Sequence, residues 1–155
     1  MNAPGAADEL EVRRMNLEDL DQVLTIEERS FPTPWTRQAF ASELCENERA
    51  LYLVAVEKGK VVGYVGMWLV LDEAHVTTLA VHPDRRRVGI GRRLLREAMH
   101  WARERGSRRM TLEVRVSNLG AQRLYQEEGF RRVGIRPGYY QDNDEDAVIM
   151  WKEDL

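Results

Sequence analysis

The chain has 155 residues, is 43% hydrophobic and 32% charged, and carries a formal net charge of −3. Those values exclude a disordered chain and a general polyanion-binding coat, and the length suffices for one domain with a real core. The longest uncharged apolar run, VVGYVGMWLVL at 61–71, is far short of the roughly 20 residues that span a bilayer, so no membrane partner is expected.

The opening MNAPGAAD has neither the basic start nor the apolar centre of a signal peptide. Residues 1–9 read as a disordered tail and 10–155 as a single domain. Residues 10–15 suit a short strand. From Leu17 to Ser30, Leu20, Val23, Leu24 and Ile26 recur at helical spacing. SFPTPWT at 30–36 breaks that helix, because Pro32 and Pro34 each restrict the residue before them. Thr36 can cap a second helix through about Cys45. Cys45 is the single cysteine, which predicts a buried structural thiol and a cytoplasmic setting.

Two strands are expected around the turn Lys58-Gly59-Lys60, and a third, HVTTLAV, ends at His82-Pro83-Asp84. Ile90 opens an amphipathic helix that reaches about Arg105, with Gly106 as its stop. RMTLEVRV then alternates: Met110, Leu112, Val114 and Val116 face one way, and Thr111, Glu113 and Arg115 the other. Ser117 or Asn118 caps a last helix that ends at Gly129, and two strands flank a loop RPGYYQDNDED. The order predicts a mixed α/β domain, about seven mostly antiparallel strands flanked by about four helices.

Charge is unevenly spread. Residues 84–109 hold ten arginines against three acids, whereas QDNDED at 141–146 is acidic. In DRRRVGIGR, two glycines sit where a strand gives way to a helix. A helix N-terminus exposes unpaired N–H groups and partial positive charge, and glycines let an anion approach them. The plain alternative is a solvated turn. G-x-x-x-x-G-K-[ST] is absent, and G-x-G-x-x-G fails because Leu94 takes the third glycine position; a degenerate nucleotide site stays open on these grounds.

Arg86-Arg87-Val88-Gly89-Ile90-Gly91 resembles the R/Q-x-x-G-x-G/A pyrophosphate loop of the GNAT acetyltransferase superfamily. LDEAHVTTLAV, TLEVRVSNLGAQRLYQEEGF and YYQDNDEDAVIM, in that order, are similar to one branch, the bacterial ribosomal-protein-alanine N-acetyltransferases, which acetylate a protein's N-terminal amine. The resemblance implies a GNAT fold and acetyl-coenzyme A as co-substrate. It sets the pyrophosphate on the amides of Arg87 to Arg92, with Arg86 in the same motif. Leu79 and Val81 would bond the pantetheine and thioester through their backbone, on a strand edge left open by splaying, and Asn118 would contact the pantetheine arm. The implied partner is the N-terminus of a protein, such as a small-subunit ribosomal protein, with no direct nucleic-acid binding.

Acetyl transfer to an amine needs a neutral amine, a polarised thioester and a proton for the leaving thiolate. Glu113 is the candidate base; by the residues alone it reads first as a surface carboxylate paired with Arg115. Tyr125 is the candidate acid, able to hold its proton at neutral pH with an ordinary pKa of ~10, or else a core tyrosine. The resemblance selects the active roles for both. A glutamate of ordinary pKa ~4.3 is a weak base, so a raised value or a water relay is expected. Phe31, Trp35, Tyr139 and Tyr140 are expected to wall the peptide slot, with the acidic run drawing a cationic substrate, or else to be packing residues. His75, His82 and His100 lack metal-ligand spacing, so no metal is expected; His82 suits a strand end and His100 a helix surface. The rivals are a lysine or small-molecule acetyltransferase and, in another class, a non-catalytic coenzyme A- or RNA-binding module.

Overall fold

Local sequence signals set the element boundaries. The computed structural model describes residues 10–155, so the tail expected at 1–9 lies outside the described residues. Strand β1 (Leu10–Arg14) leads through a single 3-10 turn into α1 (Leu20–Ser30). Thr36 accepts the N–H of Ala39 and starts α2 (Arg37–Cys45), as its position after two prolines predicts. Strands β2 (Ala50–Glu57) and β3 (Lys60–Val70) form the hairpin about Lys58-Gly59, and β4 (Glu73–Val81) follows. Helix α3 (Ile90–Glu104), β5 (Arg109–Arg115), α4 (Leu119–Glu127), β6 (Arg131–Tyr140) and β7 (Glu145–Lys152) complete the chain. The strands hydrogen-bond in the order β1-β2-β3-β4-β5-β7-β6. The expected seven-stranded, mostly antiparallel sheet with four α-helices is therefore the fold observed.

Two compact units divide the chain, residues up to Met67 with Thr78–Ala98, and Trp68–Thr77 with Met99–Leu155. In the first, Val23, Ile26, Phe40, Tyr52 and Tyr64 build the core. Phe40 stands edge-on to Tyr52 and Tyr64, with ring centres 6.3 and 5.9 Å away. Each such buried ring contributes about 1.5–3 kcal/mol. Glu27, on α1, is buried among them. Its carboxylate accepts the N–H of Trp35 at 2.9 Å and the hydroxyl of Tyr64. Burial raises its pKa, against both hydrogen bonds. A buried carboxyl without such partners would be costly; the first bond ties the SFPTPWT segment to α1 and the second ties β3 to it.

In the second unit the alternation of β5 holds: Met110, Leu112 and Val114 are buried, together with Val148 and Met150 of β7. β5 pairs antiparallel with β7 from Met110↔Lys152 to Arg115↔Ala147. It pairs parallel with β4 only from Glu73↔Arg109 to His75↔Thr111. Three expectations need correction. Val116 lies past the end of β5 and is exposed. Cys45 is exposed rather than buried, because the last turn of α2 turns it outward. RPGYY is strand, not loop: β6 runs to Tyr140, leaving residues 141–144 as the turn. Pro137 is tolerated because β6 ends the sheet order, where a missing N–H costs little.

Candidate active site

The arginine-glycine loop of the first unit is braced by some of its own arginines. Arg85 forks onto Glu57 with contacts of 2.8 and 2.7 Å. Arg86 donates to the carbonyl of Val81 and the hydroxyl of Ser30 at 3.1 and 3.2 Å. What these contacts hold is an unusual backbone. Arg87 and Gly89 both adopt left-handed conformations, with φ of 64° and 91°. Alternating left- and right-handed residues turn successive N–H groups into one concavity, a nest suited to an anion. Arg93 N–H bonds the carbonyl of Gly89 at 3.0 Å, so the amides of Ile90, Gly91 and Arg92 fall in the first turn of α3, ahead of its ladder.

Gly89 is exposed, and a Cβ there would meet nothing within 4 Å; backbone sign, not crowding, demands the glycine. Val88 is exposed at the tip and Ile90 buried beneath it. Leu94 stands where a dinucleotide motif has its third glycine, whose role is close helix–strand packing. Here Gly63 of β3 supplies that room, since a Cβ on it would lie 2.9 Å from Leu94 and 3.4 Å from Ile90. The loop thus joins two left-handed residues to the open first turn of α3. Leu79 and Val81 are both half-buried on β4, and the carbonyl of Val81 is already engaged by Arg86.

Glu113 belongs to the second unit and is not paired with Arg115. Its Oε2 lies 2.7 Å from Nε2 of His75, and its side chain is only 10% exposed. The parallel register explains the meeting, because His75 sits opposite Thr111, two residues from Glu113 and on the same strand face. Burial raises the pKa of Tyr139, and the charge of Glu113 adds to that rise. A cavity of about 230 Å³ opens here, lined by Trp68, His75, Glu113, Arg136 and Trp151 among others. Trp68 stands edge-on to His75 with ring centres 6.2 Å apart.

Arg115 instead grips the turn between β6 and β7. It contacts Asp142 at 2.9 Å, Glu145 at 3.2 Å and Asn143 at 3.2 Å, and its guanidinium lies 4.0 Å from the ring centre of Tyr140. Glu145 also accepts the N–H of Ser117 at 2.8 Å, and Asp146 that of Gly138 at 2.8 Å. Hydrogen bonds from Ser117, reinforced by Arg115, hold the Glu145 carboxyl down at about 2. Asp142, Glu145 and Asp146 are thus engaged within the fold, while Asp144 is exposed.

Asn118 caps α4, its side-chain oxygen accepting Ala121 N–H at 3.1 Å. Tyr125, one of the few buried polar-tipped side chains of α4, packs on Phe130 with ring centres 5.8 Å apart. Burial, with a smaller push from Tyr140, drives its phenol well above the ordinary value expected for it. Burial also pushes Tyr140 up to about 12, and raises Tyr139, each assisted by neighbouring negative charge. Phe31 and Trp35 pack on the core of the first unit, Trp35 against Phe40 at 5.3 Å. Tyr139 and Tyr140 meet edge-on at 5.0 Å. His82 caps the 3-10 turn at the end of β4, and His100 is exposed on α3, as expected. No cluster of three metal-ligating side chains occurs among the described residues. Sequence reasoning missed His75 by weighing it only as a metal ligand. The available signal was its alternation in HVTTLAV, on the same strand face as Leu79 and Val81.

The model of the acetyltransferase (GNAT) family matches residues 20–130. A Bacillus subtilis (strain 168) protein, whose name assigns it provisionally as a ribosomal protein bS18-alanine N-acetyltransferase, is 49% identical over 90% of this chain and 93% of its own. The Escherichia coli (strain K12) ribosomal protein bS18-alanine N-acetyltransferase is 40% identical over 85% of this chain and 89% of its own. The crystal structure of the ribosomal-protein-S18-alanine N-acetyltransferase from Escherichia coli superimposes with a TM-score of 0.85 at 36% identity, covering 94% of this chain and 95% of the other.

Proposed function

The chain belongs to the GNAT acetyltransferase family and is an acetyl-coenzyme A-dependent acyltransferase; from that premise we propose that its acceptor is the N-terminal α-amine of a protein, beginning with alanine or a similarly small residue, on a ribosomal protein. The observation that carries the acceptor is the likeness, over nearly the whole chain, to proteins named for acetylating the alanine of bS18. Residues 10–155 act as one such domain, in the cytoplasm; among the described residues no helix is long and apolar enough to cross a membrane.

In this reading the amides of Arg87 to Arg92 hold the diphosphate of the coenzyme, with Arg86 bracing the loop. Leu79 and Val81 offer backbone groups to its pantetheine, and Asn118 offers the amide nitrogen that its cap leaves over. When bound, acetyl-coenzyme A supplies an acetyl group as a thioester. Glu113 accepts the proton of the incoming amine, and His75 fixes one oxygen of that carboxylate so that the other faces the cavity. Phe31, Trp35, Tyr139 and Tyr140 wall the path of the peptide. Tyr125 keeps its proton, and its raised pKa favours hydrogen-bond donation to the departing sulfur over outright release, so the thiolate takes its proton from solvent as Glu113 returns its own there.

The α-amine suits this base. It titrates near ~7.8 and a lysine near ~10.4, so deprotonating lysine costs roughly 3.5 kcal/mol more at a given pH. The test is mass spectrometry of peptides incubated with acetyl-coenzyme A, each with a free or blocked N-terminus and one internal lysine. The account expects label only on the free N-terminus. Equal labelling of the lysine would support the lysine-directed rival instead.

A further inference from the structure

The segment between α1 and α2 is held at two points by one residue. Glu27, in the last turn of α1, is 3% exposed. Its main-chain carbonyl accepts the N–H of Phe31 at 3.1 Å, and its carboxylate accepts the N–H of Trp35 at 2.9 Å. Phe31 and Trp35 are walls of the proposed peptide path, and Pro32 and Pro34 between them have no N–H to donate. The stretch belongs to no helix or strand: Phe31 leaves α1 in an extended conformation, and Thr36, equally extended, caps α2. Pro32 and Thr33 are exposed. Ser30, where the segment starts, receives Arg86 of the arginine-glycine loop at 3.2 Å, so it begins against that loop. The anchor is itself fixed to the sheet. The second carboxylate oxygen of Glu27 accepts the hydroxyl of buried Tyr64 on β3, and Gln22, earlier on α1, accepts the N–H of Val61 on the same strand at 2.9 Å.

We propose that Glu27 is a positioning residue for the acceptor peptide: by binding the main chain at Phe31 and at Trp35, it sets the shape of the wall that the peptide's first residues meet. This rests on the reading of Phe31 and Trp35 as part of the peptide path. Glu27 is buried, so it touches neither the peptide nor the reacting atoms and acts through the Trp35 amide. What the position requires is a hydrogen-bonding group of the right reach, not a charge. Glutamine keeps both side-chain contacts, because its oxygen can take the Trp35 N–H while its NH2 donates to the Tyr64 oxygen. Leucine leaves the partly buried Trp35 N–H without that partner.

Steady-state kinetics of the full chain with acetyl-coenzyme A and an alanine-starting peptide test this in the wild type, Glu27→Leu and Glu27→Gln, with coenzyme A affinity measured by calorimetry. Glu27→Leu is expected to raise KM for the peptide about tenfold, with kcat and coenzyme A affinity within about twofold of wild type, the pattern of lost binding and not of lost chemistry. Glu27→Gln is expected to stay within about twofold of wild type in all three. Should Glu27→Leu not fold, Tyr64→Phe, which frees the other carboxylate oxygen, takes its place, with KM raised about threefold and the same split. An unchanged KM, or losses of kcat and coenzyme A affinity that match the rise in KM, would overturn the positioning role and leave the acetyltransferase reading standing. So would a glutamine variant as impaired as the leucine one. A wild-type chain that acetylates no N-terminus would overturn the acceptor reading, and this inference with it.

Discussion

The basic loop at 84–93 and the acidic turn at 141–146 look like mirror images, each a run of one charge beside short flexible residues. They use their charges alike and their backbones differently. In the loop, Arg85 and Arg86 are spent on Glu57, Val81 and Ser30, bracing a backbone whose course is set by left-handed Arg87 and Gly89. In the turn, Asp142 and Glu145 are spent on Arg115, and the cavity of the same unit is lined instead by Glu113, His75 and Arg136. A charge run in sequence thus marks scaffolding in both places. The chemistry lies in what the scaffolding holds.

The largest effect expected from breaking this picture is at the base. Glu113→Gln should lower kcat by about 10²–10⁴-fold while coenzyme A binding, a property of the loop, is untouched. Steady-state kinetics alongside calorimetry check both halves; a parallel loss of affinity would contradict the division of labour. Tyr125→Phe should cost less, about tenfold in kcat, because it removes one hydrogen bond to a developing charge and no proton acceptor. A loss as large as that at Glu113 would mean that Tyr125 releases its proton outright.

The smallest effect concerns the turn as an element of stability. Glu145 is held down at about 2 in the folded chain against an ordinary 4.5. The folded state therefore binds fewer protons than the unfolded one between those values. Its contribution is fully present above about 4.5 and is lost as pH falls toward 2. Urea unfolding at several pH values should show a shallower acid loss for Glu145→Gln than for the wild type. Equal slopes would show that the grip on Ser117 and Arg115 is not formed in solution.

Much of the fold was legible because burial imposes a period. Leu20, Val23 and Ile26 announced α1, and Met110, Leu112 and Val114 announced β5, each by the face it must hide. The caps at Thr36 and Asn118 were legible because they act within three residues. Pro137 and Gly138 were misread as loop, since only the order of strands reveals that β6 is an edge, where such residues are tolerated. The alternative that paired Arg115 with Glu113, two residues away, does not hold, because its partners are Asp142 and Glu145, about 30 residues on. No local pattern carries that information. His75 was passed over for the same reason: its meeting with Glu113 depends on a parallel register set by three residue pairs. The glycine-arginine loop was legible as a motif, but not the division of its arginines between bracing and binding.

Calorimetric titration of coenzyme A into the wild-type chain, Gly89→Val and Arg85→Ala tests the central claim most directly. A valine cannot comfortably hold a φ of 91°, and the strain of order 1–3 kcal/mol would be relieved by collapsing the nest. The account predicts affinity at least about tenfold weaker for Gly89→Val and within about twofold of wild type for Arg85→Ala. The reverse pattern, with binding lost at Arg85 and kept at Gly89, would show that side-chain charge and not main-chain geometry holds the diphosphate.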